Sequence, residues 1–445
     1  MADEESGVVV SKAKSTKLKR MSKIAVLGAG YVGITSAACF AHLGHEVIVS
    51  DISETRILML QEGKCPIVEE GLPQLLSEGI ANGKLQFTTD NDFAVSAADF
   101  VFVCLPTPQG ENGVADVSFV QDALSCVSKS LKPDSVVVTK STVPVGSTKI
   151  IEEVLNRSDI AVVSNPEFLC EGSAVNDFLH PDRVVVGSTN NDAARKVAEL
   201  YSKLNAKVFL TDPASAETIK YAANAFLATK ISYINAIAAV CEGVGADVLA
   251  VIEGIGSDKR IGRSFLNPGP GWGGSCFPKD TKALVKIAEG GGYDFALLRG
   301  VIEVNEQQHD RVAQKILNSI RSHSEVLQVC VLGLTFKAGT DDLRDSPSLL
   351  VIQKLRNAGA EVRAFDPTVN LTNSNLDGIV LCDSAHSAAS GADVIAILTE
   401  WPEFMELQPV DFVKIVRTPN LVDARNLLNR ENWLGAGFSY RAVGR

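Results

Sequence analysis

The chain has 445 residues, 46% hydrophobic and 21% charged, proportions that suit two or three globular domains of roughly 150 residues and exclude fibrous, collagenous and wholly disordered classes. Forty-two lysines and arginines against 53 acids leave a net charge of −11, which argues against a nucleic-acid backbone binder or a polybasic membrane anchor while allowing a local basic pocket. The nine cysteines form no C-x-x-C pair and read as reduced thiols of a cytoplasmic protein; no apolar run approaches about 20 residues, so no membrane span or export signal is expected, and no metal site is assigned.

Residues 1–20, MADEESGVVVSKAKSTKLKR, are expected to form a mobile N-terminal extension. From Lys23 the pattern becomes strand, tight turn and helix: KIAVL is an apolar run, GAGYVG a glycine turn, and ITSAACFAHLG a small-residue helix ending at Gly44. EVIVSD follows as a second strand, and β-rich runs at 100–106, 135–142 and 160–168 alternate with helical stretches. This predicts a first α/β domain over 21–212 with a parallel sheet wound on both faces. Residues 214–242 are Ala-rich, lack Gly and Pro, and are too extended for a routine crossover helix, so 213–324 is read as a central helical segment. The β pattern restarts with EVLQVCVLGLTFK and continues through EVRAFDP, ADVIAILTE and NLVDA, a second α/β unit over 325–445. The expected fold class is α/β: two Rossmann-like doubly wound domains joined by a long central helix and a helical middle segment, with ligands at the carboxyl edges of the sheets.

Gly28, Gly30 and Gly33 make G-x-G-x-x-G between a strand and a helix, a turn that brings a helix N-terminus against a pyrophosphate. Asp51 closes the second strand, where a carboxylate accepts from the adenosine ribose and repels a 2′-phosphate, favouring NAD over NADP. Arg56 could bind such a phosphate or stack on adenine.

In FLNPGPGWGGSCFPKD, residues 265–280, Cys276 follows a glycine-rich run and precedes Pro278, which places the thiol at a helix N-terminus. The helix dipole and Lys279 would favour thiolate, the nucleophilic form, and Asp280 lies one turn on, able to steer a water or proton. Lys220 and Asn224, at i and i+4, share one face of the central helix and suit a developing oxyanion; from this segment alone, a solvated lysine with an amide neighbour is the simpler reading. Glu167 and Glu171 end a strand in NPEFLCEG, where active-site loops of α/β sheets lie, but alone they too lean structural. A hydride acceptor, thiolate, amine and carboxylate together describe oxidation of an alcohol past the aldehyde to an acid.

Six blocks in order, IAVLGAGYVG, STVPVGST, NPEFLCEG, ETIKYAANAF, GPGWGGSCFPKD and GLTFKAGTDDLRDSPS, resemble the UDP-glucose/GDP-mannose dehydrogenases over 21–445. The resemblance implies NAD-dependent four-electron oxidation of UDP-glucose to UDP-glucuronate through a Cys276 thiohemiacetal and thioester. It gives Lys220 and Asn224 the oxyanion and the ordered water, Asp280 their support, Glu167 the acid/base and hydrolytic role, and Thr142 a hand in holding the water. Tyr31, Val32, Thr107, Thr142, Glu171, Lys279 and Arg344 would join Gly28, Gly30, Gly33, Asp51 and Arg56 around NAD. The nucleotide sugar would meet Glu167, Phe168, Leu169, Lys220, Asn224, Arg260, Phe265, Leu266, Asn267, Gly273, Phe336, Lys337 and the terminal Arg445. A homodimer with the central helix at its core is also implied, Arg260 reaching the neighbouring site, and the 325–445 unit would be the UDP-sugar domain. The ending GFSYRAVGR departs from the family pattern, with Ala442 where a glycine is usual. GDP-mannose and UDP-N-acetylhexosamine are the alternative substrates within the family. A single-step dehydrogenase would leave Cys276 idle, and an NAD-binding protein without turnover would leave Lys220, Cys276 and Glu167 unexplained.

Overall fold

A computed structural model of the chain describes residues 9–11, 21–110, 113–320, 326–369 and 376–445. Its strands before the central helix are β1 Val9–Ser11, β2 Lys23–Leu27, β3 Glu46–Ser50, β4 Leu85–Thr88, β5 Phe100–Val103, β6 Val136–Thr139, β7 Ala161–Ser164, β8 Arg183–Gly187 and β9 Lys207–Thr211. The helices between them are α1 Tyr31–His42, α2 Glu54–Gln61, α3 Leu72–Ala81, α4 Asn91–Ser96, α5 Ser118–Val127, α6 Ser147–Leu155, α7 Ala174–Leu179 and α8 Asn191–Leu200, followed by the long α9, Pro213–Val244.

The first sheet runs β1-β9-β8-β7-β6-β5-β2-β3-β4. From β4 back through β3 and β2 to β5, β6 and β7 this is the 3-2-1-4-5-6 order of a dinucleotide-binding sheet, with its switch point between β2 and β5. Strands in that part pair in parallel, Val26 standing beside Val49 and Phe102. Both faces are covered, which is why these strands read as unbroken apolar runs. Ile24 and Val26 enter one core with Phe40 and Phe102, while Ala25 and Leu27 enter another with Leu124 and Ile151. Two pairings are antiparallel, β7 with β8 and β1 with β9. The latter corrects the expectation for the N-terminal extension: Val9–Ser11 pairs with Val208–Leu210 as an edge strand. The rest of residues 1–20 lies outside the described residues.

The second half adds α10 Val248–Gly256, α11 Phe277–Gly290, α12 Ala296–Leu317, β10 Leu327–Leu332, α13 Pro347–Asn357, β11 Ala360–Phe365, β12 Ile379–Leu381, α14 Ala385–Ala389, β13 Val394–Ile397, α15 Pro409–Phe412, β14 Asn420–Asp423, α16 Arg430–Gly435 and β15 Ser439–Ala442. Its all-parallel sheet, β12-β11-β10-β13-β14-β15, repeats the 3-2-1-4-5-6 order. Val329 and Val331 pack towards α9, α10 and α12, whereas Cys330 and Leu332 face an aromatic group of Trp401, Phe404, Phe412 and Trp433.

The chain divides into two compact units, Met1–Ala223 with Lys282–Gly290, and Asn224–Thr281 with Gly291–Arg445. The middle segment, read from the sequence as separate, thus falls largely within the second unit. Among the described residues α9 alone has the length and apolar content of a membrane span. The sequence reading found no such run because charged Glu217, Lys220 and Lys230 interrupt it; Glu217 and Lys220 are both buried.

Candidate active site

In the first unit, β2 delivers the chain into the glycine turn. Gly28 sits at φ 101°, and a Cβ there would stand 2.6 Å from the Cys104 carbonyl oxygen. A Cβ on Gly33 would lie 1.9 Å from the Gly28 oxygen, so α1 can approach the turn only as glycine. Gly30 faces open space, and no side chain caps α1. An uncapped helix N-terminus behind an open glycine fits a dinucleotide pyrophosphate. Tyr31 and Val32, the first two residues of α1, are half-buried beside it. Asp51 is oriented by the Ala29 amide at 2.7 Å and the Ser53 amide at 2.9 Å, leaving the carboxylate at the strand end for a ribose. Arg56 lies 3.4 Å from Asp51 and pairs with it. The residues present therefore fit NAD.

Two loops at the carboxyl edge of the same sheet carry the next predicted residues. The Thr107 hydroxyl donates to the Thr142 carbonyl at 2.8 Å, so these two buried threonines are brought together. Glu167 and Lys220 form an ion pair at 2.9 Å, their side chains only 6% and 4% exposed, which removes the solvated-lysine reading. Burial works to raise the Glu167 carboxyl, but the charge and hydrogen bond of Lys220, the Leu169 amide and the charge of Lys140 outweigh it and hold the group below the usual carboxylate range. Glu167 is thus a carboxylate at neutral pH, placed to accept a proton. Leu169 contributes its amide, at 2.6 Å from Glu167. The Phe168 ring lies under the Arg183 guanidinium at 3.7 Å and near the Lys220 ammonium at 5.5 Å. Glu171 is half-buried on the same loop.

In the second unit, Cys276 immediately precedes α11 and its carbonyl accepts from the Asp280 amide at 2.9 Å, the first turn of that helix. The thiol is half-buried, 3.7 Å from the Ser275 hydroxyl. Asp280, 1% exposed, accepts from the Asn224 amide at 2.6 Å and from Lys279. Asn224 is therefore fixed by a carboxylate, which orients its remaining polar atoms.

The glycine run before Cys276 packs against the loop after β10. A Cβ on Gly273 would stand 1.9 Å from the Asp345 carbonyl oxygen, and one on Gly274 would meet the Phe336 ring at 2.8 Å. Lys337 reaches over that ring at 5.7 Å. Gly273, Phe336 and Lys337 are thus brought together. Phe265 is held at φ 62°, an unusual conformation for a bulky residue, with its ring 6.5 Å from Phe277. Leu266 is buried in the core, leaving only its backbone for a ligand, whereas Asn267 is exposed and accepts from Arg263. Arg260 and Arg344 are exposed and pair with Asp258 and Asp342 respectively. Arg445 is exposed, on a cavity of about 580 Å³ with Asn429, Arg430, Glu431 and Leu434 that includes none of the other predicted substrate residues.

Sequence reasoning missed several supports. Lys140, one residue before the STVP block, is buried and reaches Asn165 at 3.2 Å and Tyr201 at 3.3 Å. Burial pushes its ammonium down to about 8, although Glu167 and Cys104 favour the charge. Glu217, on α9 one turn before Lys220, holds the Gly146 and Thr148 amides at 2.6 and 3.1 Å. Around the glycine run, Asn305 pairs with both the amide and the carbonyl of Trp272, at 2.8 and 3.0 Å. Gln308 and Asn235 grip Gly269, and Ser232 accepts from the Trp272 indole. Arg425 lies beside the Phe336 carbonyl at 3.4 Å and pairs with Glu400. Spacing on α12, with Asn305 and Gln308 three apart, was the one available signal for the clamp.

Comparison with known proteins gives this geometry a family. Residues 22–205 match the NAD binding domain of the UDP-glucose/GDP-mannose dehydrogenase family, 214–307 its central domain, and 330–430 its UDP binding domain. UDP-glucose 6-dehydrogenase TuaD of Bacillus subtilis (strain 168) is 43% identical over 432 residues, covering 96% of this chain and 94% of its own. UDP-glucose 6-dehydrogenase of Rhizobium meliloti (strain 1021) is 43% identical over 435 residues, covering 95% and 99%. The structure of a UDP-glucose dehydrogenase from the hyperthermophilic archaeon Pyrobaculum islandicum superposes with a TM-score of 0.88 at 34% identity, covering 96% of this chain and 98% of that one. With all three domains matched in order and relatives of this identity spanning nearly the whole chain, the protein belongs to the UDP-glucose/GDP-mannose dehydrogenase family.

Proposed function

We propose that the chain oxidises the primary alcohol of UDP-glucose to the carboxylate of UDP-glucuronate. The observation that carries the sugar assignment is the 43% identity, over almost the whole chain, to two proteins named as UDP-glucose 6-dehydrogenases. NAD bound at the glycine turn supplies the hydride acceptor, two equivalents for each alcohol taken to the acid.

The chain's own residues supply the rest. Glu167, kept as a carboxylate, takes the alcohol proton, and Lys220 and Asn224 donate to the substrate oxygen as negative charge gathers on it. Cys276, at the start of α11, adds as thiolate to the aldehyde carbon and is later carried as a thioester. Glu167, with Thr142, holds and activates the water that opens this thioester, releasing the acid and restoring the thiol. Asp280 keeps the Asn224 amide aimed. Phe336 and Lys337 offer an aromatic face and a cation to the nucleotide diphosphate, and Arg425 adds a second cation beside them.

Two further parts of the reading concern context. The chain acts as a homodimer built on α9: Phe226, Tyr233, Val240 and Val244 recur at near-heptad spacing and are 64%, 54%, 56% and 72% exposed. Arg260, its side chain 89% exposed, then extends towards the neighbouring subunit's site. The nine cysteines, with no C-x-x-C pair among them, support a reducing compartment, the cytoplasm, which cell fractionation tests.

The deciding assay is NADH yield with UDP-glucose limiting and NAD in excess, repeated with GDP-mannose. Two NADH per UDP-glucose are expected, and Cys276→Ser should abolish that full yield while still binding NAD. One NADH from the wild type would favour a single-step alcohol dehydrogenase, and none with either sugar a binding protein.

A further inference from the structure

Glu69 is buried while its chain neighbours Val68 and Glu70 are exposed, so one carboxylate of the segment between α2 and α3 turns inward. A buried carboxylate is costly unless its oxygens are satisfied. Among the described residues no cation pairs with it. Its donors are the Gly172 amide at 2.7 Å, the Val175 amide at 3.4 Å and the Tyr31 phenol. The Gly172 amide also reaches the Tyr31 oxygen at 2.8 Å, closing a three-way network.

Its position matters more than its strength. Tyr31 opens α1 directly after Gly30, and Gly172 follows Glu171 in the loop that carries Glu167. The other acids holding this loop are local: Glu167 accepts from the Leu169 amide and Asp177 from the Cys170 amide. Glu69 is the acid that arrives from a distant part of the chain. Burial, then the Glu69 hydrogen bond and charge, push the Tyr31 phenol well above its ordinary value, so it stays a donor across the working pH range.

We propose that Glu69 and Tyr31 form a latch that fixes the loop bearing Glu167 and Glu171 to the glycine turn, so that the cofactor cradle and the catalytic carboxylate share one geometry. Glu69 is a positioning residue acting through Gly172 and Tyr31. The inference rests on reading the glycine turn as the NAD site and adds the residue that ties it to the acid loop.

The test uses the full chain titrated calorimetrically with NAD alone. Glu69→Leu should raise the NAD Kd about tenfold, the worth of one lost hydrogen bond to a charged group, and Glu69→Gln, which keeps one acceptor oxygen, should recover part of it. KM for UDP-glucose should move much less than KM for NAD. Without cofactor, amide exchange at Gly172 and Val175 should quicken in Glu69→Leu. Adding Tyr31→Phe to Glu69→Leu should cost little more, because the two side chains act as one unit. An unchanged NAD Kd with only a lower melting temperature, or strictly additive effects, would overturn the latch. If Glu69→Leu does not fold, Tyr31→Phe alone decides: unaltered Gly172 exchange and NAD affinity would refute it. Binding and exchange need no turnover, so a wild type inactive on UDP-glucose would sink the functional reading without touching this result.

Discussion

Lys220→Met separates the catalytic and structural parts of the buried pair. The substitution keeps the stem and removes the ammonium that stands 2.9 Å from Glu167, at a site where both side chains are at most 6% exposed. Stranding one charge of a buried pair costs about 3–5 kcal/mol. The Leu169 amide at 2.6 Å and the charge of Lys140 remain, so the low end, about 3 kcal/mol, is the expectation here. Turnover should fall by roughly 10²–10³, the loss typical of one oxyanion donor. The pH dependence should also change sign. In the wild type the Glu167 carboxyl lies below its ordinary 4.5, so its contribution to stability is present above that value and is lost as pH falls through the folded-state value. Without Lys220, burial, the largest influence, prevails and raises the carboxyl; the protonated form is then favoured in the fold, and stability falls as pH rises above about 4.5. Urea midpoints for wild type, Lys220→Met and Lys220→Met/Glu167→Gln at about pH 3.5, 5 and 8 read the stabilities and their pH slopes, and steady-state rates read the turnover. The double variant should regain most of the stability and none of the turnover. A single variant as stable as wild type, a double variant no better than the single, or identical pH slopes would refute the account.

Asn305→Leu should free the Trp272 amide and carbonyl, two buried bonds worth about 1 kcal/mol each before the penalty of leaving them unpaired. Alkylation of Cys276 by iodoacetamide should change rate and turnover should drop about tenfold, while NAD affinity holds; unaltered thiol kinetics would remove Asn305 from the positioning set. Val240→Glu places a charge in the exposed α9 stripe and should shift the protein to monomers in sedimentation velocity, whereas an unchanged mass would remove the stripe from the interface.

What the sequence made legible was local. Gly28, Gly30, Gly33 and Asp51 obey a spacing rule because one strand, one turn and the next strand create the site between them. Cys276 was visible for the same reason, a helix start announced by Pro278. Lys220 and Glu167 lie 53 residues apart, and their meeting depends on β7 and α9 converging at one edge of the sheet, which no local pattern encodes. Each alone therefore leaned to a structural reading, Lys220 as a solvated lysine and Glu167 as a loop carboxylate. Glu69 and Glu217 were hidden for a stronger reason: most of their partners are backbone N–H groups, and the side chains they do meet, the Tyr31 phenol and the Thr148 hydroxyl, lie 38 and 69 residues away in the chain. The edge strand Val9–Ser11 was hidden by its polar, lysine-rich surroundings.

The two halves also differ in how well their first turns suit a dinucleotide. Gly28 and Gly333 occupy the same left-handed region, at φ 101° and 95°, and their amides donate to Ser50 and Phe365 at 2.8 and 2.9 Å. Ala29 and Leu334, the next residues, each donate to an aspartate ending the adjacent strand, Asp51 and Asp366, both at 2.7 Å. From this shared frame the halves diverge at the third position, where Gly30 faces open space and Thr335 is fully buried. The Thr335 amide and hydroxyl turn back onto Asp366, which Trp401 and Thr368 also engage, so that carboxylate is committed to the fold. α1 begins at once after Gly30, but α13 begins only at Pro347, so the second turn presents no helix N-terminus to a pyrophosphate. On the function proposed above, its ligand would be met by the side chains that follow, Phe336 and Lys337, and a side-chain site suits a nucleotide sugar recognised by its base and diphosphate.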